Sequence, residues 1–365
     1  MLSNRINKIE ESGIRKIFSL AAGNQGNYIN LSIGQPDFSV PKKLKQAAKE
    51  AIKKNNNSYT QTQGDERLRK KIALKLNSEN NIKAKSEDVI ITAGVSGAIF
   101  LLFSAVFNPK DEVIVPDPYF VMYKQLLNFL DVKMIPLNIY PDFHLKGKNL
   151  EKLITPKTKA IIINSPNNPT GAVYGQDELR EAAKIARKHN LLVISDEIYE
   201  KYDYGNKFFS IGSIYKNTVT LNGFSKSHSI TGWRLGYAHG PKEIIKAINK
   251  LQQYTFVCAP SFAQEAVLNE FNLDIKKEVN NYKTNRDFLY NRLKDRYELN
   301  MPEGAFYAFI KISNGQKNFM EKAIKNKLLV VPGNVFSGRD DYFRVSFAVD
   351  KRTLEKGVKI LLKMV

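Results

Sequence analysis

The chain has 365 residues, 43% hydrophobic and 25% charged, with one cysteine, Cys258, and a net charge of +20 at pH 7. That length allows two domains and a core that needs neither disulfide nor metal to fold. One cysteine and four histidines argue against a structural zinc site, and no apolar run approaches the ~18 residues of a membrane span. The basic excess lies at the two ends, mostly as lysines on helix-like segments such as 42–54 and 317–327. No zinc finger or aromatic-interleaved basic repeat accompanies it, so a solvated lysine face is expected rather than nucleic-acid binding. The first residues lack the unbroken apolar core of a signal peptide and carry Glu10 and Glu11. A reduced, cytoplasmic compartment is the expectation.

Seven short β-branched runs follow one another through the middle of the chain: Val89–Thr92, Glu112–Val115, Val132–Ile135, Ala160–Asn164, Leu191–Ser195, Thr218–Leu221 and Leu235–His239. Helical spacing fills several gaps, as in Asp177–His189. Strands alternating with helices predict an α/β layer with a mostly parallel seven-stranded sheet between helices. Runs such as AIII and LLVIS are apolar throughout, as in strands covered on both faces. After Phe271, residues Ile275, Val279, Tyr282, Leu289 and Leu293 fall on one face of a long charged helix. Two further strand-like runs, Ala305–Ile312 and Tyr342–Ala348, alternate with helical segments. The expected organisation is a large domain over 40–272 and a smaller α+β domain formed by 1–39 with 273–365, the long helix included.

Ligands in such sheets bind beyond the carboxyl ends of the strands, so the residues that follow each strand carry the chemistry. Ala93-Gly94-Val95-Ser96-Gly97 opens a helix, where free N–H groups favour a phosphate; a plain turn is the competing reading. Ser165-Pro166-Asn167-Asn168-Pro169-Thr170-Gly171 is a turn-forming loop stiffened by two prolines, suited to holding a side-chain amide at a ligand. Asp196 ends an apolar strand, where a carboxylate is costly without a partner such as a cationic ring nitrogen; a helix cap is the alternative. Lys226 follows the next strand, where an amine could capture a carbonyl, although most lysines are surface charges. Arg234, eight residues on, could bind an anion with two parallel N–H donors.

The stretch NGFSKSHSITGWRLGY resembles the pyridoxal-phosphate lysine motif of the class I/II aminotransferases, the aspartate aminotransferase-like enzymes of fold type I. SPNNPTG and SDEIY resemble two further motifs of that family, in the same order. INLSIGQPDFSVP, SYTQTQGDERLRKKIA, PEGAFYAFIKI and FRVSFA extend the resemblance over about residues 12–350. The resemblance implies the cofactor pyridoxal 5′-phosphate and a role for each matching residue. Lys226 would carry the cofactor covalently, and Asp196 would pair with its protonated ring nitrogen. Asn168 and Tyr199 would hydrogen-bond the ring 3-oxygen. Arg234 would clamp the phosphate with help from Val95 and Ser96, and Tyr59 would reach the phosphate of a neighbouring subunit in a homodimer with shared sites. Phe120 would stack on the ring, with Tyr119 as the alternative. Arg344 would hold the substrate α-carboxylate, with Gly34 lending backbone. The family often has a hydroxyl residue three before the lysine; Gly223 stands there instead, leaving Ser225 or Ser96 to serve the phosphate.

The implied reaction moves an amino group from an amino acid to a 2-oxo acid in two half-reactions, with ping-pong kinetics. SGIRKIF and GQPDF look most like the branch that contains aspartate and aromatic aminotransferases, with 2-oxoglutarate as acceptor. A C–S lyase or other elimination enzyme of the same fold is the alternative, since fold does not set reaction. A cofactor-sensing regulator is a further one, opposed by the complete set of catalytic positions and by family motifs that start near residue 12.

Overall fold

The computed structural model describes residues 2–17, 28–205, 208–312 and 316–365. The fold is α/β. Seven strands form the main sheet: β2 (Val89–Ala93), β3 (Glu112–Asp117), β4 (Lys133–Asn138), β5 (Thr158–Asn164), β6 (Leu192–Asp196), β7 (Thr218–Gly223) and β8 (Leu235–His239). Their spatial order is β2-β8-β7-β6-β5-β3-β4. All neighbours are parallel except β8, which runs antiparallel to both β2 and β7. The central strands β6, β7 and β8 are buried along their whole length, and β5 is buried except at Lys159, as expected of strands covered on both faces.

Helices cover both faces. Helix α3 (Gly94–Val106) and helix α4 (Val121–Phe129) pack with Val113, Val115, Ile162 and Ile194 on one side. Helix α6 (Gln176–Lys188) packs with Ile114, Ile161, Ile163 and Val193 on the other. Its predicted bounds were Asp177–His189; His189 is instead the residue that caps it. Two lysine-rich stretches read as helical are α1 (Lys42–Lys53) and α10 (Gln316–Lys325).

A second layer gathers around a small antiparallel sheet of β11 (Val331–Pro332), β12 (Tyr342–Ser346) and β9 (Tyr307–Lys311). Helix α9 (Lys276–Leu293) buries Tyr282, Leu289 and Leu293 here, against Leu354, Val358 and Leu361 of helix α11 (Lys351–Lys363). Between them Asn285 is buried too, donating to the carbonyls of Phe347 (3.0 Å) and Val349 (2.8 Å). The N-terminal part joins the same layer. Strand β1 (Ile29–Asn30) pairs in parallel with β10 (Leu328–Leu329), and the Ser346 N–H donates to the Leu31 carbonyl at 2.7 Å. Residues 18–27 of the segment expected to complete the smaller domain lie outside the described residues.

Candidate active site

The site forms where the carboxyl ends of β2, β5, β6 and β7 meet the start of β8. Register decides the neighbours. Asn164 pairs with Asp196 across β5 and β6, and Gly223 pairs with Gly236 across β7 and β8. Ala93 pairs with Leu235 across β2 and β8, so Gly94 and Arg234 come face to face. A Cβ on Gly94 would lie 2.5 Å from the Arg234 guanidinium, and Gly94 has a φ of +72°. Only glycine meets both demands without strain. Helix α3 therefore starts directly against Arg234, with the Val95 and Ser96 N–H groups in its first turn, where no intrahelical acceptor exists. Thr92 ties the turn by donating to the Gly94 carbonyl at 3.0 Å.

Gly223 is equally constrained. A Cβ there would lie 2.8 Å from Gly236 Cα, and one on Gly236 would lie 2.7 Å from the Val95 nitrogen. The missing hydroxyl three residues before Lys226 is thus enforced by backbone contact. Ser225 is buried in the turn that carries Lys226, and Ser96 is half-buried.

Lys226 is anchored by its backbone, whose carbonyl accepts from Tyr202 Oη at 2.8 Å. Its Nζ donates to the Gly34 carbonyl at 2.6 Å and sits 5.8 Å from the Tyr199 ring centre. Burial pushes its pKa down from 10.5 to about 8; the Arg344 and Arg234 charges add to this and Asp196 opposes it. Asp196 is 4% exposed. It accepts from Tyr123 Oη at 2.6 Å and from the Ile198 N–H at 3.3 Å. Burial raises its pKa from 3.8 to about 6, with the Tyr123 hydrogen bond pulling it back.

Arg344 is 1% exposed on β12. It donates to Asn168 Oδ1 at 3.0 Å and to the Ser32 carbonyl at 2.8 Å, while its Nε has no partner among the described residues. Its guanidinium lies 4.4 Å from the Tyr307 ring centre and 4.8 Å from that of Phe336. Tyr307 Oη in turn meets Tyr199 Oη at 2.9 Å. Asn168 is oriented by its own N–H, which donates to Asn164 Oδ1 at 2.9 Å, and Asn164 Nδ2 donates to the Asp196 carbonyl at 3.0 Å. Contacts thus link Asp196, Asn164, Asn168, Arg344, Tyr307, Tyr199 and Lys226 in one continuous series at the strand ends. The donor set fits pyridoxal phosphate: a buried carboxylate in want of a cation, an amine that sheds its proton near neutral pH, and an arginine facing unused N–H groups at a helix start.

The model of class I and II aminotransferases matches residues 26–361. The chain is 37% identical to a probable aspartate aminotransferase of Methanocaldococcus jannaschii, over 99% of both chains. It is 36% identical to an aromatic-amino-acid aminotransferase of Thermococcus litoralis, over 100% of this chain and 98% of that one. Among solved structures, an aspartate aminotransferase of Thermus thermophilus with maleate aligns over 100% of both chains, at 32% identity and a TM-score of 0.96. This chain belongs to the class I and II aminotransferases.

Of the residues read from the sequence, the aminotransferase brings Lys226, Asp196, Tyr199, Asn168, Arg344 and Gly34 into direct or one-step contact. Gly34 offers its carbonyl to Lys226, and a Cβ there would crowd Tyr307 Oη at 3.0 Å. Phe120 precedes α4 and meets the Tyr123 ring edge to face at 5.6 Å. Tyr119 is buried, with its N–H on the Phe336 carbonyl. Tyr59 stands apart, 81% exposed. Four members were not singled out from sequence: Tyr123, Asn164, Tyr307 and Ser32. Tyr123 carried a readable signal, since it lies one helical turn after Phe120 and so shares its face. Among the described residues no helix is long and apolar enough to cross a membrane, and no cluster of His, Cys, Asp or Glu could hold a metal.

Proposed function

We propose that this aminotransferase transfers the amino group of aspartate or an aromatic amino acid to a 2-oxo acid such as 2-oxoglutarate, using pyridoxal 5′-phosphate. The observation that carries the reading is the buried Lys226, its pKa lowered to about 8, flanked by Asp196 and Arg344. The relatives' and neighbours' substrates, aspartate and aromatic amino acids, support the donor class. When bound, the cofactor supplies a carbonyl that captures the amino group and a ring that draws off electrons left at the substrate Cα.

The chain's own residues do the rest. Lys226 Nζ holds the cofactor and accepts the Cα proton, which a pKa near 8 lets it do at neutral pH. Asp196 keeps a proton on the ring nitrogen. Asn168 and Tyr199 bind the ring oxygen, and Phe120 covers the ring, with Tyr119 as the alternative. Arg234, the N–H groups of Val95 and Ser96, and the Ser225 hydroxyl bind the phosphate. Arg344 takes the α-carboxylate in a two-pronged grip, beside Gly34. Tyr59 completes the phosphate shell of a second copy in a homodimer. The small antiparallel sheet and its helices act as a separate domain, 1–39 with 273–365, against a cofactor domain of 40–272. The protein works in the cytoplasm.

Borohydride reduction of the loaded enzyme followed by peptide mapping should mark Lys226 alone. In a panel of amino donors, turnover should require an added 2-oxo acid. Release of pyruvate and ammonia from an amino acid alone would replace this reading by a lyase.

A further inference from the structure

The segment between β1 and α1 carries the chain from the second layer to the main one, and it supplies the carbonyl that meets Lys226. Gly34 offers that carbonyl 2.6 Å from Nζ. Residues 31–41 have no regular secondary structure, so the carbonyl is only as well placed as the contacts that hold its neighbours. On the N-terminal side, the Ser32 carbonyl accepts from Arg344 at 2.8 Å. From the turn that carries Lys226, Ser229 Oγ donates to the Phe38 carbonyl at 2.5 Å. From the second layer, Tyr282 of α9 grips Asp37 at two points. Its Oη accepts from the Asp37 N–H at 2.9 Å and donates to Asp37 Oδ1 at 2.6 Å.

Only Gln35 and Pro36 lie between Asp37 and Gly34. Pro36 is buried, its φ is fixed by its ring, and that ring also restricts Gln35 before it. The placement of Asp37 is therefore passed to Gly34 through a stiff link. Tyr282 reaches Lys226 by a second route. Its ring stacks on Tyr202, with centres 5.8 Å apart and planes 23° from parallel, and Tyr202 Oη donates to the Lys226 carbonyl at 2.8 Å. One side chain, 2% exposed, thus touches the supports of both ends of the lysine, its backbone and its amine.

We propose that Tyr282 is a positioning residue for the Lys226 amine: through Asp37 it sets the Gly34 carbonyl, and through Tyr202 it steadies the lysine backbone, so that helix α9 of the second layer aims the base. A carbonyl that accepts one N–H of the amine fixes its direction, and the bond strengthens when the nitrogen takes up a proton. The proposal rests on the reading of Lys226 as the cofactor lysine and base. Its test labels cofactor-free protein with trace acetic anhydride over a series of pH values and reads Lys226 acylation by peptide mass; turnover of the loaded enzyme is the second measurement. Tyr282→Phe keeps the ring and its stack and removes only the hydroxyl. The charged groups around Lys226 are Arg344, Arg234 and Asp196, and this substitution leaves them in place. The midpoint of Lys226 labelling should fall by about half a pH unit, and kcat by about fivefold with a larger isotope effect from deuterium at the substrate Cα. Affinity for pyridoxal 5′-phosphate should stay as in wild type. Asp37→Asn removes the charge but keeps an oxygen for Tyr282, and should lose less than Tyr282→Phe on both measures. A wild-type midpoint in Tyr282→Phe overturns the proposal, whatever its stability or turnover, because the tyrosine then serves only the packing of α9. An equal or larger loss in Asp37→Asn also overturns it, since the charge of Asp37 and not the clamp would then act on Lys226. If wild-type Lys226 takes up no pyridoxal 5′-phosphate, the reading of the lysine falls, while the labelling midpoints still decide the clamp.

Discussion

Asp196 is buried at a strand end with a tyrosine hydroxyl and one backbone N–H for company. Because its folded pKa is raised, the residue favours the folded state most below pH 3.8 and loses that contribution as pH rises through about 6. In the cofactor-free protein the ionised carboxylate therefore costs up to about 3 kcal/mol at pH 7. Asp196→Asn keeps an oxygen for Tyr123 and removes the charge. Urea unfolding should find the cofactor-free variant more stable at pH 7 by up to that amount, with no gain below pH 3.8. Its turnover should fall by orders of magnitude, since an amide cannot hold a proton on the ring nitrogen. A variant with equal stability at both pH values would show that the carboxylate is not under strain from burial. Arg344 answers a different question. Its fork spans Asn168 and the Ser32 carbonyl, which a lysine cannot do. Arg344→Lys should lower kcat/KM for amino acids by about a hundredfold and leave amines without a carboxylate nearly unchanged; single-turnover kinetics on both classes measures this. Asp196 and Arg344 were legible in the sequence because each sits at a fixed place in a motif. The partners of Tyr123 and Tyr307 were not, because they lie 73 and 108 residues away, and only the fold reveals which tyrosine meets which group.

The central strands were readable from unbroken apolar runs, and their order of burial follows. The edge strand was less so: the run read as Val132–Ile135 is paired over Lys133–Asn138, with several positions exposed. Pro136 sits within it, tolerated because only one side of an edge strand is bonded. The two-residue strands β1, β10 and β11 are too short to leave a periodic signal. The Asn285 position on α9 also escaped a reading of apolar faces, since its burial is bought by two carbonyl acceptors. The polar contacts between the two layers are equally hidden. His144, in the segment after β4, meets Glu178 of α6 at 3.1 Å and Glu303, just before β9, at 3.5 Å. Glu178 is itself held by the N–H groups of Leu145 (2.8 Å) and Gly175 (2.7 Å). The hydrogen bond to Glu178 raises the His144 pKa above 6.5; burial opposes it, and the charges of Glu178, Glu303 and Asp142 support it. Its stabilising effect is therefore complete below pH 6.5 and disappears as pH rises through the higher folded value. Half-exposed as it is, the contact contributes about 1 kcal/mol or less. His144→Gln should lose stability relative to wild type at pH 6 and match it at pH 9, by denaturant unfolding at both. A deficit that grows toward pH 9 would reverse the sign and remove the ionic link between the layers.

At the scale of the whole molecule, a group of exposed aromatic residues lies near the start of α3, where Phe256 meets Phe100 edge to face. Tyr59 is 81% and Tyr254 83% exposed, and Phe256 and Val257 are exposed beside them. Their loops are held together: Gln252 donates to the Thr62 carbonyl at 2.5 Å and Ser261 to the Asn56 carbonyl at 2.8 Å. Arg234 is exposed too. An exposed apolar patch next to a ligand site is a surface for association, and in the proposed homodimer a second copy would bring its Tyr59 to the phosphate position assigned to Arg234. Mixed dimers of Tyr59→Phe and Lys226→Ala chains separate the two ways Tyr59 could act. If it reaches across the interface, the chain that keeps Lys226 receives an intact Tyr59 from its partner, and both lesions fall on the other site. Half of the wild-type activity per dimer then remains. If Tyr59 serves its own chain, the only site with a lysine lacks the tyrosine hydroxyl, and activity drops to half that of the Tyr59→Phe enzyme. The expected result is the first. It requires that Tyr59→Phe homodimers be clearly slower than wild type, which their own assay establishes, and that both chains remain dimeric by sedimentation. A fully active monomer in the same sedimentation experiment would refute shared sites outright, because one chain alone would then complete the phosphate shell.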